Sequence, residues 1–209
     1  MTSPNLVLHG MVVSGHTHRI ENFLTMLGVP YRLSPAPAEV RQSAAFRALN
    51  PLGQIPVLED GEVVLADSNA ILVYLAKRYA AGSPWLPEDA VAAARVQRWL
   101  SIAAGEVRFG PAFARVLTLW GGPGSLAFAH AVAQPLLAFT NGHLADRSFL
   151  AADHPTIADL ACYSYIAHAP EGRISLADFP HVRAWLARVE ALPGFKPMPR
   201  TPIPDGAPT

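Results

Sequence analysis

The stretch Asn50–Ser68, NPLGQIPVLEDGEVVLADS, constrains this chain more than any other. Val57-Leu58 and Val63-Val64-Leu65 are short apolar runs separated by Glu59-Asp60-Gly61, a pattern that predicts a β-hairpin. Asp67-Ser68 stands just before the periodic run AILVYLAKRY, where a helix N-cap belongs. Pro56 enters the first strand at the position where its missing N–H does least harm. The helix start at Ser68 leaves backbone N–H groups that suit an anion such as a carboxylate. Taken alone, the stretch also suits an ordinary hairpin followed by a capped helix.

The residues before it extend the pattern. Leu6-Val7-Leu8 reads as a first strand, and a turn with Gly10, Ser14 and Gly15 follows. A helix is predicted from His16 to Leu27, because Ile20, Phe23, Leu24 and Leu27 recur on one helical face. Gly28 and Pro30 stop it. Tyr31-Arg32-Leu33 is a second strand, and Glu39–Leu49 a second helix that ends before Asn50-Pro51. The order is strand, helix, strand, helix, strand, strand, helix. Such a chain forms a parallel βαβ unit with an antiparallel hairpin added to the same sheet.

Ala80–Pro87 is the expected linker, and no convincing strand follows it. A helix is predicted over Val91–Phe109, with Val96, Trp99, Leu100 and Ala103 on one face and a break at Gly110-Pro111. Phe113–Trp120 resumes it, Gly121–Gly124 forms a loop, and Ser125–Leu144 is a long apolar helix that Pro135 should kink or whose start it should mark. His154–Pro170 and Phe179–Leu192 hold further helices. Residues 1–80 thus read as an α/β domain, 88–196 as an all-helical domain, and 197–209, with five prolines, as an extended or disordered tail.

Within the helical half, Thr156-Ile157-Ala158-Asp159 has capping-box spacing. Thr156 accepts from a first-turn N–H while Asp159 reaches back to the Thr156 N–H. The run LACYSYIA that follows is apolar nearly all round, so this helix should be central and Asp159 structural.

With 16 basic and 16 acidic residues the chain has no net charge, which argues against a nucleic-acid partner. The single cysteine, Cys162, excludes an intrachain disulfide and a cysteine-based metal cage, and its apolar helix makes it a buried small hydrophobe. The start MTSPNLVLHG lacks a basic region followed by a long apolar one, and no apolar run approaches a membrane span, so a cytoplasmic protein with no membrane and no metal is expected.

An α/β domain carrying NPLGQIPVL and ADSNAILVYLA, joined to a helical domain carrying PTIADLACY and FPHVRAWLARVEALPGF, resembles the cytosolic glutathione S-transferases. The likeness runs from about Leu6 to Phe195, and four motifs in order and at the right spacing make it specific. It implies a thioredoxin-like domain followed by a helical bundle domain. It also implies a homodimer, and an enzyme of detoxification that adds the glutathione thiolate to an electrophilic small molecule. The resemblance assigns roles by position. Pro56 matches the family's cis-proline, which turns the Ile55 backbone toward glutathione for strand-like pairing with its cysteinyl unit. Gln54 contacts the glycyl end, Ser68 the γ-glutamyl carboxylate and Asp67 the γ-glutamyl ammonium. Many members carry Glu or Gln where Asp67 stands.

The family activates the thiol with a Tyr, Ser or Cys near the start of the first helix. In VVSGHTHRIENF there is no Tyr or Cys, and Ser14 matches the serine of the serine-type, bacterial-type members. Ser14 is therefore expected to donate to sulfur and to cap the helix as well, with Thr17 in reserve. His16 is expected to donate to the thiolate or to a glutathione carboxylate. Among the aromatics, Trp99, Phe109, Phe113, Trp120 and Tyr165 are mostly core, some of them facing the electrophile. Arg108 and Arg115 belong either to a solvated face or to a pocket for an anionic co-substrate. The same fold also serves as a glutathione-binding regulator with little transferase activity, or for isomerase or peroxidase chemistry on the same thiolate.

Overall fold

The computed structural model describes residues 6–207. β1 (Leu6–Gly10) and β2 (Tyr31–Pro35) pair in parallel, with Leu8 opposite Leu33, and α1 (Gly15–Met26) is the crossover that a parallel pair requires. β3 (Val57–Asp60) runs antiparallel to β1, and β4 (Val63–Ala66) closes the edge, giving the order β2-β1-β3-β4. The α1 face made by Ile20, Phe23 and Leu24 is fully buried, and Gly28 ends the chain's turn in the left-handed region at φ 64°. α4 (Ser68–Tyr79) packs beside α1 with Ile71, Leu72 and Leu75 inward. The hairpin is tied to it: the Asp60 carboxylate accepts from the Tyr74 and Tyr79 hydroxyls at 2.7 and 2.5 Å.

Two helices differ from the sequence reading. The segment after β2 is not one helix but two, α2 (Ala38–Gln42) and α3 (Ala44–Leu49). Ser43 between them is extended, and its hydroxyl accepts from the Phe46 N–H at 3.2 Å. It offers the backbone a cap in place of a continuing helix, and the new direction buries Phe46. Conversely, Gly110-Pro111 does not break its helix. α5 (Ala90–Ile102) passes into ten residues of wider π-helical turns, Ala103–Ala112, and then into α6 (Phe113–Trp120). A π turn pairs each carbonyl with a later N–H, so the Pro111 nitrogen, which has none to give, is accommodated. The Phe113 N–H reaches both the Arg108 and Gly110 carbonyls. Gly110 is needed for contact rather than for a turn: a Cβ there would lie 3.0 Å from the Ala133 backbone on the neighbouring helix.

That neighbour, α7 (Leu126–His143), is capped by Ser125 and runs through Pro135. α8 (Ile157–Ala167) is the central element, buried from Ile157 to Ile166 and touching α1, α4, α5 and α9 (Pro180–Glu190). Its capping box is formed as expected. Asp159 also accepts from the Leu150 N–H and the Trp185 indole N–H, both at 2.9 Å. A 3₁₀ turn, Ala169–Gly172, follows α8. The Pro-rich C-terminal segment is extended, but bound rather than loose. The Lys196 N–H donates to Asn22 Oδ1 at 2.7 Å, its carbonyl accepts from His18 Nε2 at 2.7 Å, and Met198 is buried. Prolines leave this segment few N–H groups for a ladder, so side chains of α1 hold it instead. The architecture is a thioredoxin-like α/β domain followed by an all-helical domain. Among the described residues no helix is long and apolar enough to cross a membrane.

Candidate active site

Ser14 is the N-cap of α1. Its backbone is extended, at φ −88° and ψ 119°, and its Oγ accepts from the Thr17 N–H at 3.4 Å. Capping uses a lone pair, so the hydroxyl proton is left to donate elsewhere. Thr17, the reserve candidate, is fully buried, and its Oγ1 accepts from the Met11 N–H at 3.2 Å. It buttresses the turn from beneath. Gly15 meets the other domain: a Cβ there would stand 2.8 Å from the Tyr165 ring of α8.

The second helix start lies against the first. Asp67 caps α4 from the left-handed region, at φ 74°, accepting from the Asn69 and Ala70 N–H groups at 2.8 and 3.0 Å. Both bonds fall on Oδ1, so the exposed carboxylate keeps Oδ2 for another donor. Ser68, the first residue of α4, is buried. Its Oγ lies 3.1 Å from His16 Nδ1 and 3.2 Å from Arg19 Nη1. Two sequence-predicted residues, His16 and Ser68, are thus brought together across 52 positions.

Arg19 was missed by the sequence reading. It is 1% exposed and gives Nη1 also to Asn69 Oδ1 at 2.9 Å. Among the described residues no carboxylate pairs with it, and its Nε and Nη2 find no acceptor. Burial lowers its pKa, opposed by Tyr165, Cys162 and Asp67. A buried guanidinium without a counter-ion is costly unless an anion completes it. The signal was present in the spacing: Arg19 stands four residues before Phe23, on the apolar stripe of α1, where a charge calls for a reason. Burial, and after it Arg19 and Arg108, holds His16 well below the usual histidine pKa. Its imidazole is therefore neutral at neutral pH, packed edge-on against Tyr165 with ring centroids 4.9 Å apart.

The third piece is the loop before β3. The Ile55–Pro56 peptide is cis, as the resemblance implied. Asn50 shapes the loop by donating to the Gln54 carbonyl at 2.9 Å and accepting from the Leu52 N–H at 3.2 Å. Gln54 is exposed and Pro56 buried. The Ile55 N–H and carbonyl have no hydrogen-bond partner among the described residues, so a free extended edge leads into β3.

The remaining candidates divide. Trp99 and Tyr165 are buried, Phe113 is half-buried, and Phe109 and Trp120 are exposed. Arg108 is exposed and its charge bears on His16. Arg115 belongs to neither expected class: it is buried in an ion pair with Glu171. Cys162 is fully buried, and burial pushes its thiol up to about 12. A cavity of about 790 Å³ in the helical domain, lined by Trp99, His143 and Leu150 among others, shares no residue with the Ser14–Ser68 cluster.

Comparison with known proteins bears on the family. Residues 8–84 match the model of the glutathione S-transferase N-terminal domain, and residues 131–193 that of the C-terminal domain. Glutathione S-transferase 3 of Zea mays is 33% identical over 95% of this chain and 96% of its own length. The crystal structure of a glutathione S-transferase from Xanthobacter autotrophicus superposes with a TM-score of 0.84 at 34% identity, covering 93% of this chain and 97% of that one. One from Pseudomonas fluorescens gives 0.87 at 31% identity, with 92% and 98% covered. Likeness at both ends of the chain, at this identity and over nearly the full length of each relative, makes the chain a member of the glutathione S-transferase family.

Proposed function

We propose that the protein transfers glutathione to an electrophilic small molecule, with Ser14 as hydrogen-bond donor to the sulfur. The thiol loses its proton to solvent on binding. The thiolate then attacks the electrophilic carbon, a C–S bond forms, and the leaving group, or the electron pair of an activated double bond, takes up the displaced charge. A free cysteine thiol has a pKa near ~8.5, so only about 3% is thiolate at pH 7. A hydroxyl donor at a helix N-terminus that lowers it by about two units makes the thiolate the main form, which is worth about 2.7 kcal/mol.

The observation that carries the reading is Arg19, a buried guanidinium with no carboxylate partner among the described residues, held with neutral His16 on the Ser68 hydroxyl one turn from Ser14. It fits a ligand that brings a carboxylate to the start of α4 and a thiol to the start of α1. Ser68 takes the γ-glutamyl carboxylate and Asp67 Oδ2 the ammonium. The free Ile55 backbone pairs with the cysteinyl unit above the Pro56 ring, and Gln54 contacts the glycyl end. His16 supports the carboxylate through Ser68. The domain of residues 1–80 holds glutathione, that of residues 88–196 faces the electrophile, and residues 197–207 of the Pro-rich tail 197–209 form the C-terminal strap.

The experiment is Ser14→Ala. Thiolate absorbance in the ultraviolet, followed on adding glutathione at pH 7, should fall about 25-fold, and kcat with it, while KM for glutathione changes little. Turnover equal to the parent's sinks the Ser14 assignment. A parent protein that raises no thiolate signal and turns over no electrophile sinks the enzymatic reading itself. We further propose a cytoplasmic homodimer that serves in detoxification. Exposed Leu52 and Phe139 suit a partner surface, and light scattering measures the mass.

A further inference from the structure

Behind the Ser14 turn stands a buried ion cluster that the transferase reading does not use. Arg115 on α6 is 1% exposed. Its Nε donates to Glu171 Oε2 at 2.6 Å, its Nη1 to the Val13 carbonyl at 2.8 Å, and its Nη2 to Thr201 Oγ1 at 3.4 Å. The guanidinium carbon lies 5.1 Å from the centre of the Trp120 ring. Glu171, in the 3₁₀ turn after α8, uses its other oxygen to accept from His168 Nδ1 at 2.7 Å and from the Thr201 N–H at 3.1 Å. These donors, with Arg115, keep its carboxyl below the usual range against the burial that would raise it. The turn is pressed onto α6: a Cβ at Gly172 would sit 2.7 Å from the Arg115 backbone nitrogen. One guanidinium therefore joins α6, the 3₁₀ turn, the C-terminal strap and the residue immediately before Ser14.

The bond to Val13 has a consequence for the chemistry. The Val13 carbonyl and the Ser14 N–H share one peptide plane, so a donor that fixes the carbonyl also fixes the plane from which Ser14 departs. Other hydrogen bonds at this turn include the Ser14 N–H to the Met11 carbonyl at 2.9 Å and the Met11 N–H to Thr17 Oγ1. Both lie within the turn and α1. They give the turn its shape; Arg115 ties it to α6, beside the packing of Gly15 and His16 on Tyr165 of α8. A planar fork presents separate nitrogens to the carboxylate, the carbonyl and the hydroxyl in fixed directions; a lysine ammonium, a single nitrogen on a flexible stem, does not hold that spread.

We infer that Arg115, held by Glu171, is a positioning residue that fixes the Val13–Ser14 peptide, and through it the Ser14 hydroxyl, in register with the bound thiol. The C-terminal strap is part of this clamp, since Thr201 meets both members of the pair. The inference rests on the reading of Ser14 as donor to the sulfur.

The test compares the parent with Arg115→Lys, Ser14→Ala and the double variant. It reads the melting temperature, the pH titration of bound glutathione by thiolate absorbance, and kcat and KM with a chloronitroaromatic electrophile. Arg115→Lys keeps the charge beside Glu171 but loses the fork. It should raise the bound thiol's pKa by about one unit and lower kcat about threefold at neutral pH, with KM for glutathione within about twofold. A purely structural role would lower the melting temperature and leave the bound thiol's titration where it was. Adding Arg115→Lys to Ser14→Ala should shift the thiol no further, because the clamp acts only through that hydroxyl. A parent-like thiol in Arg115→Lys beside a shifted one in Ser14→Ala overturns the clamp alone, as does an additive double variant. A parent-like thiol in Ser14→Ala overturns the Ser14 reading and the clamp with it. If Arg115→Lys does not fold, Glu171→Gln, which keeps the shape and an acceptor, takes its place with the same expectations.

Discussion

Replacing Asp159 by alanine should be the most destabilising single change on α8 that leaves the glutathione site untouched. The carboxylate is fully buried and accepts from four donors: the Thr156 N–H at 2.9 Å and hydroxyl at 3.2 Å on Oδ2, and the Leu150 N–H and Trp185 indole N–H, each at 2.9 Å, on Oδ1. The hydroxyl can turn to another partner; the other three are left buried without an acceptor. Each such donor costs ~1–3 kcal/mol. Part of that sum is returned because the buried carboxyl, whose pKa burial raises, no longer has to be desolvated. A net loss of about 4 kcal/mol follows. For a chain of this length ~1 kcal/mol corresponds to ~2–4 °C, so the melting temperature should fall by about 8–16 °C. Asp159→Asn keeps the volume and one acceptor oxygen, and should lose about half as much, since its NH2 then faces donors. Thermal and urea unfolding followed by circular dichroism measure both. KM for glutathione at 25 °C should stay at the parent's value, because Asp159 lies at the start of α8 and not on the Ser14–Ser68 cluster. An Asp159→Ala protein that melts within about 3 °C of the parent refutes the reasoning, since it would mean that those three donors find other partners.

His18 is held neutral in the fold, its pKa lowered by burial to about 4 against the raising effect of the Lys196 carbonyl. Between pH 6.5 and about 4 the unfolded chain therefore binds the proton that the folded chain refuses, and stability falls with pH by up to about 3 kcal/mol over that window. His18→Gln should flatten this fall in urea midpoints measured from pH 7 to 4. Ser68→Ala should raise KM for glutathione about tenfold or more and change kcat by no more than about twofold, since it removes a ground-state contact and not the sulfur's donor; a loss confined to kcat would contradict it. Cys162, buried, with its thiol pushed up to about 12, should resist a disulfide-exchange thiol reagent in the native protein and react once unfolded, as a thiol titration with and without denaturant will read.

Where local periodicity decides, the chain was legible. The hairpin, α4 with its Asp67 cap, and the Thr156–Asp159 box all rest on residues within four positions of one another. Where burial by a distant element decides, it was not. Ser43 and Gly110-Pro111 are both turn signals. Only the first interrupts its helix, because Phe46 gains a buried site by the change of direction, whereas Gly110 must lie flat on α7. The Pro-rich strap was legible as extended, but not as bound, since its partners His18, Asn22 and Glu171 lie far back in the chain.

The sequence by itself determined the fold class, the family, and the positions from Ser14 to Ser68 that we propose meet glutathione. Hydrophobic period, capping residues and turn chemistry are local properties, and they survive in a one-dimensional string. The tertiary structure alone decided the electrostatics. Only when α1, α4, α6 and α8 pack does Arg19 lose its solvent without gaining a carboxylate among the described residues, His16 become neutral against Ser68, and Arg115 reach across 102 positions to the Val13 carbonyl. Charge and hydrogen bonding depend on desolvation and on distances between elements, and neither is set until the elements meet.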